Sequence, residues 1–181
     1  MQHYDIPTRL LDFTLNPLIA LYFCVAFSEG QSANVNDEVA DYFINEGFSN
    51  KGGAIYCIKP HEVNRTSNID GNNIIDLNKY SFESLKNIDF LICILGNSVD
   101  SRIVAQEGVF IYYGNYIHPL DWYDIMQNHI VKIFVPNSLK KKLKIELRQK
   151  YKICHQTMFP DMKGVSLEII DKMKEEFRLI N

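Results

Sequence analysis

Polar side chains are unusually dense at the start of this chain. Within the first sixteen residues, the side chains that can ionise or form hydrogen bonds include Gln2, His3, Asp5, Thr8, Arg9, Asp12, Thr14 and Asn16. A segment that only had to pack would not need so many polar groups, because each of them requires a hydrogen-bond partner when it is buried. These side chains therefore either form a structural hydrogen-bond network or line a site.

The backbone conformation after Pro7 decides which of these side chains meet. In an extended strand, Thr8, Asp12 and Thr14 share one face and Arg9 lies on the other. In a tight turn, Arg9 and Asp12 can instead pair directly. Two interpretations stay open: a partly buried ion pair that ties the segment down, or a wall that binds an anion or a nucleotide. The planar guanidinium group of arginine suits phosphate oxygens.

A second polar group lies in the stretch SRIVAQEGVF, which alternates like a β-strand. On a strand, Arg102, Gln106 and Gly108 point to one face, and Glu107 points to the other. Two long polar side chains beside a glycine predict that another group approaches the backbone closely at Gly108. The alternative is a β-bulge in which Gln106 satisfies neighbouring carbonyl groups.

The turn TMFPDMKG, at residues 157–164, is a third candidate. Asp161 can cap or brace this loop, and a structural role is the simpler interpretation. The chain contains no glycine-rich phosphate loop, no Gly-x-Ser-x-Gly elbow and no His-Glu-x-x-His helix. Its four cysteines lack the Cys-x-x-Cys spacing of a zinc site, so no metal site is expected.

Composition narrows the possible functions further. The 181 residues carry a formal net charge of -3, and a pI near 5.9 gives no signature of broad binding to nucleic acid or membranes. The basic run from Ser138 to Lys152 is expected to be the solvated lysine face of a helix. Cys24, Cys57 and Cys93 lie in apolar stretches, which predicts buried, reduced thiols.

The location expected from the sequence is cytoplasmic. The chain shows no signal-peptide pattern, and no basic region precedes an apolar core at its start. Its longest apolar run, LIALYFCVAF, is too short to cross a bilayer of about 30 Å as a helix. We therefore expect neither secretion nor association with a membrane.

Local patterns predict a single mixed α+β domain over residues 1–181, with a mostly antiparallel sheet. Asn16 and Pro17 are typical of a helix start, and the buried helix that follows should end near Gly30. A polar insertion with a short helix is expected around residues 31–52. Further along, the expected elements are a strand at 54–59, a loop at 61–73, a buried strand or a short loop-bound segment at 89–97, and strands at 102–113 and 129–135.

Two helices are expected to close the chain. The first covers residues 138–151 and the second begins near Val165. Apolar residues at helical spacing supply one face of the second helix, namely Val165, Leu167, Ile169, Ile170 and Met173.

The three polar stretches, in this order, resemble the FRG domain family of bacterial and phage-associated domains. The first matches the family motif QHxxIPTRLLDFT at residues 2–14, followed by Asn16 and Pro17. The second matches RxxAQxGxF at residues 102–110, and the third matches the Phe-Pro-Asp turn at residues 159–161. Asp5 stands where related sequences usually carry glycine.

The family takes its name from a Phe/Tyr-Arg-Gly motif that lies upstream of the Gln-His segment. This sequence starts inside the second motif and does not contain the first one. The resemblance therefore implies either a longer parent domain or a partner chain that supplies the missing portion.

The layout of the motifs is also similar to that of ADP-ribosyltransferases, in which a glutamate stabilises the oxocarbenium ion that forms as nicotinamide leaves NAD. This similarity implies a bacterial toxin, a toxin–antitoxin component or a phage-defence effector that uses NAD as a substrate. It assigns catalytic roles to Gln106, Glu107 and His3. The residues that would bind the ligand are Gln2, Thr8, Arg9, Asp12, Thr14 and Arg102.

Two other functions stay open. The first is a non-catalytic recognition module that binds a protein, a nucleic acid or a nucleotide and gates an attached effector. The second is a nuclease or another hydrolase that uses His3 with Asp5 or Asp12.

Overall fold

The computed structural model describes residues 8–26, 52–67, 74–76, 83, 86–95 and 100–180. Helices and antiparallel strands both occur among them, which confirms the α+β class. The chain divides into two compact units. The first unit comprises Met1–Leu15 and Tyr56–Val131, and the second comprises Asn16–Ile55 and Lys132–Asn181. That both belong to one FRG-like domain over residues 1–181 stays a prediction.

The first unit contains a three-stranded antiparallel sheet. Its strands are β1 (Leu10–Thr14), β3 (Leu91–Leu95) and β4 (Gly108–Tyr113), in the order β1-β4-β3. The register pairs Thr14 with Gly108 at one end of β1. Strand β2 (Gly53–Ile58) pairs separately with β5 (Ile130–Val135) in a two-stranded sheet. The strands expected at 54–59 and 129–135 are therefore confirmed to within one residue.

Strand β3 is apolar along its whole length because both of its faces are buried. Leu91 and Cys93 contact one cluster of buried residues, whereas Ile92 and Ile94 contact another. Side chains alternate between the faces of a strand, so a strand covered on both sides needs an unbroken apolar sequence. The sequence LICIL meets this requirement, and the strand alternative for residues 89–97 is confirmed.

Two local predictions in the first unit are wrong. The expected loop at 61–73 begins instead with helix α2 (Pro60–Thr66), whose first position is a proline that needs no hydrogen-bond donor there. The expected strand at 102–113 starts as helix α3 (Ser101–Ala105) and becomes extended only at Gly108. Asp100 initiates α3, because its side chain accepts the Arg102 N–H group at 2.8 Å.

The second unit contains four helices among the described residues. They are α1 (Pro17–Ala26), α4 (Asn137–Tyr151), α5 (His155–Met158) and α6 (Met162–Ile180). The side chain of Asn16 accepts the Leu18 N–H group at 3.0 Å, as expected for a helix cap. The predicted end of α1 near Gly30 and the predicted helix within 31–52 lie outside the described residues.

The core of the second unit lies mainly between α1, α4 and α5. Its fully buried members are Ile19, Tyr22, Val25, Val135, Leu147 and Met158. Only one face of α1 is fully buried, although this helix is apolar nearly all round. Among the described residues, no helix combines the length and hydrophobicity needed to cross a membrane.

Helix α6 is oriented opposite to the usual amphipathic rule. Its apolar stripe exists as predicted, but Ile169, Ile170 and Met173 are exposed to solvent. The side turned inward carries Glu168, which is only 3% exposed, and Asp171. Ordinary surface helices place their apolar stripe on the core and their charges in water. Ion pairs therefore determine which side of this helix faces inward.

The cysteine prediction is correct for Cys93 and wrong for Cys57. Cys93 is buried, and burial raises the pKa of its thiol to about 12. Cys57 lies on β2 with its side chain exposed. Cys24 is half-buried, and burial raises its pKa as well. All four cysteines are free thiols.

Candidate functional site

The polar residues at the start of the chain are placed from Thr8 onward. Gln2, His3 and Asp5 lie outside the described residues, so their predicted roles, and the hydrolase hypothesis that depends on His3, stay predictions. Thr8 is exposed, and its hydroxyl oxygen accepts the Leu10 N–H group at 3.3 Å.

Arg9 is anchored at the far end of β4. Its Nη1 atom donates a hydrogen bond to the carbonyl oxygen of Gly114 at 2.8 Å, and its own carbonyl oxygen accepts the Tyr113 N–H group. Because residues 10–14 form a strand, the extended alternative is confirmed, and the tight turn that would pair Arg9 with Asp12 is wrong. Asp12 is exposed and lies opposite Phe110 in the register.

Gln106 and Glu107 form the junction between α3 and β4. Gln106 caps α3, and its N–H group donates to the Arg102 carbonyl oxygen at 2.9 Å. Glu107 adopts the left-handed backbone conformation, with φ at 46°. Neither residue lies on a strand, so the prediction that they point to opposite faces of one strand is wrong. Arg102 is half-buried on α3 rather than on a strand.

The end of β1 holds this junction in place through three groups. The Thr14 hydroxyl group donates to the Gln106 carbonyl oxygen at 2.8 Å, and the Leu15 N–H group donates to the Glu107 carbonyl oxygen at 3.1 Å. The Glu107 N–H group in turn donates to the Val104 carbonyl oxygen at 3.1 Å. We call these five residues, Thr14, Leu15, Val104, Gln106 and Glu107, the Glu107 corner.

The backbone of the Glu107 corner stores strain while its carboxylate stays exposed. A non-glycine residue in the left-handed region costs about 1 kcal/mol relative to a relaxed conformation. The hydrogen bonds to both peptide groups of Glu107 compensate for this cost. Strained backbone that persists in this way concentrates at functional sites. The side chain of Glu107 is therefore a fixed carboxylate that faces solvent.

The structure divides the predicted ligand-binding wall into two ends. Thr14 lies at the Glu107 corner, whereas Thr8 and Arg9 lie at the other end of β1, about 17 Å away at roughly 3.4 Å per residue. Strands β1 and β4 are direct neighbours in one sheet, so they do not form two facing walls of a cleft.

The predicted close approach at Gly108 has an internal cause. A Cβ atom built on Gly108 would lie 3.3 Å from the side chain of Ile103 and 3.4 Å from the Ile103 carbonyl oxygen. Helix α3 therefore folds back against the start of β4. A small residue at position 108 lets the chain make this turn without displacing α3.

Exposed apolar side chains border the Glu107 corner. Leu15 is 60% exposed and Val104 is 56% exposed. Both are connected to Glu107 by backbone hydrogen bonds. Scattered surface leucines and valines need no explanation, but two beside a strained carboxylate offer apolar contact area to a ligand or a partner.

A second polar cluster, which the sequence analysis missed, lies in the second unit. We call it the buried ion cluster, and its members are Tyr22, Lys144, Arg148, His155, Glu168 and Asp171. Lys144 Nζ lies 2.5 Å from Asp171 Oδ2, and Arg148 Nε lies 3.0 Å from Glu168 Oε1. His155 Nε2 lies 3.0 Å from the same oxygen of Asp171. The Asp171 and Arg148 contacts are not aligned as hydrogen bonds, so their attraction is mainly Coulombic.

The protonation state of His155 follows from its two neighbours. Its Nε2 atom faces the carboxylate of Asp171, and a lone pair there would be repelled, so Nε2 carries the proton. Its Nδ1 atom then accepts the Tyr22 hydroxyl group at 2.7 Å. Burial lowers the pKa of His155 against the opposing effect of Asp171. Burial also raises the pKa of Tyr22, which keeps its hydroxyl group protonated.

The buried ion cluster has the properties of a structural brace. The His155 N–H group donates to Glu168 Oε2 at 3.1 Å, which joins α5 to α6, while Tyr22 joins α1 to α5. His155 and Glu168 are each at most 5% exposed, so the cluster offers no access to a substrate. Among the described residues, no group of three or more acidic, cysteine or histidine side chains is arranged to hold a metal ion.

A sequence signal for this cluster does exist. Lys144 and Arg148 are four residues apart on α4, and Glu168 and Asp171 are three apart on α6, so each pair shares a helix face. The expectation that the basic run is a solvated face is correct for the exposed lysines of α4, but it is wrong for these two cations. It is also wrong for Lys140, which is buried.

Comparison with family models links the start of the chain to a known domain. The model of the FRG domain family matches residues 1–33, a range that includes β1 and α1. The resemblance based on the motif at residues 2–14 is therefore confirmed over this segment. No curated protein and no solved structure matches the chain.

Proposed function

We propose that this FRG-like chain binds NAD or a related nucleotide and transfers ADP-ribose, as a toxin or phage-defence effector in the bacterial cytoplasm. The observation that supports this proposal is the exposed carboxylate of Glu107, held at a φ of 46° by hydrogen bonds on both of its peptide groups. A carboxylate whose backbone is already fixed needs little reorganisation when positive charge develops beside it.

In the proposed reaction, the bond between C1′ of the ribose and nicotinamide breaks, and nicotinamide leaves with the bonding electron pair. Glu107 stabilises the positive charge that develops on the ribose. A nucleophile of the acceptor forms the new bond to C1′ and loses its proton. This assignment chooses Glu107 over Gln106, because a neutral amide stabilises a cation less than a carboxylate does.

The other candidate residues take positioning roles in this proposal. Thr14 holds the Gln106 carbonyl oxygen and thereby fixes the peptide unit next to Glu107. Arg9 and Thr8 lie about 17 Å away along β1, so they would contact only the distant part of an elongated ligand that lies along the strand. Gln2, His3, Asp12 and Arg102 remain proposed contributors.

The test is incubation of the purified chain with labelled NAD and a bacterial lysate, scoring nicotinamide release and transfer of the label. We expect both signals, and we expect Glu107→Gln to reduce them by at least about 100-fold, as for loss of a main electrostatic contact in the transition state. Asp124→Asn, which neutralises an exposed carboxylate elsewhere in the first unit, is the matched control and should keep wild-type activity.

Melting temperatures separate a loss of chemistry from a loss of folding. The Glu107 side chain is exposed, so Glu107→Gln should melt with the wild type. Equal activity of the wild type and Glu107→Gln would refute the assignment of Glu107. The absence of both signals from the wild type would refute the transferase proposal for this chain acting alone.

A recognition module is the second candidate, and the exposed Leu15 and Val104 favour it. Apolar side chains beside a polar anchor suit a surface that binds a macromolecular partner. This alternative predicts saturable binding of a ligand or a partner without turnover, and Leu15→Asp should weaken that binding. Sustained consumption of NAD by the purified chain would rule this alternative out.

A further inference from the structure

Helix α6 presents a continuous apolar stripe to solvent. Met162 is 80% exposed and Phe177 is 62% exposed, and three more large apolar residues lie between them on the same side. These three are Ile169, Ile170 and Met173. The stripe runs over fifteen residues, or about 22 Å at 1.5 Å per residue. Contiguous exposed apolar surface of this kind marks an interaction site.

The buried ion cluster prevents α6 from turning this stripe inward. Glu168 and Asp171 occupy the opposite side of the helix and are held by Arg148 and Lys144 of α4. Rotating α6 about its axis would remove both carboxylates from their cations. Breaking buried ion pairs costs several kcal/mol. The stripe is therefore a fixed outer surface of the second unit.

The sequence of the stripe is complementary to itself when two copies run antiparallel. With the symmetry centre between Ile169 and Ile170, Met162 of one helix lies level with Phe177 of the other. The same alignment places Lys163 level with Glu176 of the second copy. A parallel alignment would instead place each of these charges level with its own kind and would align the helix dipoles.

We propose that α6 is a homodimer interface, in which the apolar stripes of two chains pack antiparallel about a twofold axis between Ile169 and Ile170. The occupant is a second copy of this chain, because charge complementarity at both ends matches the stripe to itself. One helix pair is a small interface, so the dimer should dissociate with a constant on the order of 10 μM.

Sedimentation analysis of the full chain from about 1 to about 200 μM tests this proposal. We expect the mass to rise from 21.0 kDa toward twice that value as the concentration increases. Ile169→Glu should keep the chain monomeric over the whole range, because it places a charge at the centre of the apolar contact. Leu139→Glu on α4, which also places a charge at an exposed apolar position of the second unit, is the matched control and should still dimerise.

A charge exchange tests the antiparallel register. Lys163→Glu should weaken the dimer about 5-fold, because it places a carboxylate level with Glu176 of the second copy. The double variant Lys163→Glu with Glu176→Lys should restore wild-type association, since opposite charges face each other again. A purely structural role of these exposed residues would produce no such recovery.

Three results would overturn the proposal. A chain that stays monomeric at every concentration means that residues 27–51 of the same chain, or a different protein, cover the stripe. A dimer that Ile169→Glu leaves intact means that the contact lies elsewhere. A charge exchange that fails to restore association excludes the antiparallel register.

Discussion

The two units treat polar residues in opposite ways. In the first unit, the core is apolar and the candidate site residue Glu107 faces solvent. In the second unit, Glu168 is buried in an ion cluster while the apolar stripe of α6 is exposed. The hydrophobic effect is non-directional and would favour burying the stripe. A few specific charge contacts have determined the orientation of α6 instead, which leaves an apolar surface free for recognition.

The largest expected effect comes from breaking the buried ion cluster. Glu168→Ala leaves Arg148 buried beside no carboxylate at 3.0 Å and removes the acceptor of the His155 N–H group. We expect a loss of about 3–5 kcal/mol in the free energy of unfolding, measured by urea denaturation. Glu83→Ala, which also removes an ion pair but an exposed one, should change stability by less than about 1 kcal/mol. Similar values for the two variants would show that the cluster does not orient α6.

The counterpart in the first unit is the neutral buried side chain of Asn64. Its Oδ1 atom accepts the Cys93 N–H group at 2.7 Å, and its Nδ2 atom donates to the Cys93 carbonyl oxygen at 3.3 Å. It therefore pairs with β3 as a neighbouring strand would. Asn64→Ala should cost about 2–3 kcal/mol, because it leaves buried backbone groups without these partners.

Asn87→Ala is the control for this prediction, since Asn87 bonds a backbone carbonyl group at an exposed position. We expect a change below about 0.5 kcal/mol. If Asn64→Ala were equally mild, the neutral and charged buried groups of the two units would differ more than we propose.

A smaller effect concerns pH and separates the units by their histidines. The pKa of His155 in the folded chain lies below its ordinary value of 6.5, because burial outweighs the attraction of Asp171 and Glu168. As the pH falls, the unfolded chain therefore binds this proton first. The contribution of His155 to stability is complete above pH 6.5 and is lost as the pH falls from 6.5 toward the lower folded pKa.

Melting temperatures measured between about pH 7 and pH 5 check this sign. The groups that face His155 are Tyr22 on α1, Lys144 and Arg148 on α4, and Glu168 and Asp171 on α6. His155→Gln should show a shallower decline than the wild type. His61→Gln, at an exposed position on α2, should keep the wild-type profile, and equal slopes for both variants would contradict the prediction.

The smallest expected effect is at the Glu107 corner. Glu107→Gly relieves the left-handed strain of about 1 kcal/mol but loses a similar amount through the flexibility of glycine in the unfolded chain. We therefore expect a change within about 0.5 kcal/mol in chemical denaturation. Glu62→Gly on α2 has no strain to relieve and should cost about 1 kcal/mol. A large loss at position 107 would mean that its side chain supports the fold.

Several features were predictable because their signals are local. Asn16 and Pro17 mark the start of α1, and the alternation of residues 129–135 marks β5. The motif at residues 2–14 identified the family that matches residues 1–33. The junction at Gln106 was not predictable in detail, because SRIVAQ fits a strand as well as a short helix. The capping contact of Asp100 decided between them.

The sequence by itself determined the α+β class, the apolar stripe of α6 and the identity of the candidate residues, because these depend on composition and on spacing along the chain. Only the tertiary structure decided which side of α6 faces inward, which candidate residues meet at the Glu107 corner, and that Arg9 lies at the other end of β1. Those outcomes depend on contacts between distant segments, such as Thr14 with Gln106 and Arg148 with Glu168. Periodicity shows that a helix has an apolar side, but only its partners determine whether that side is buried.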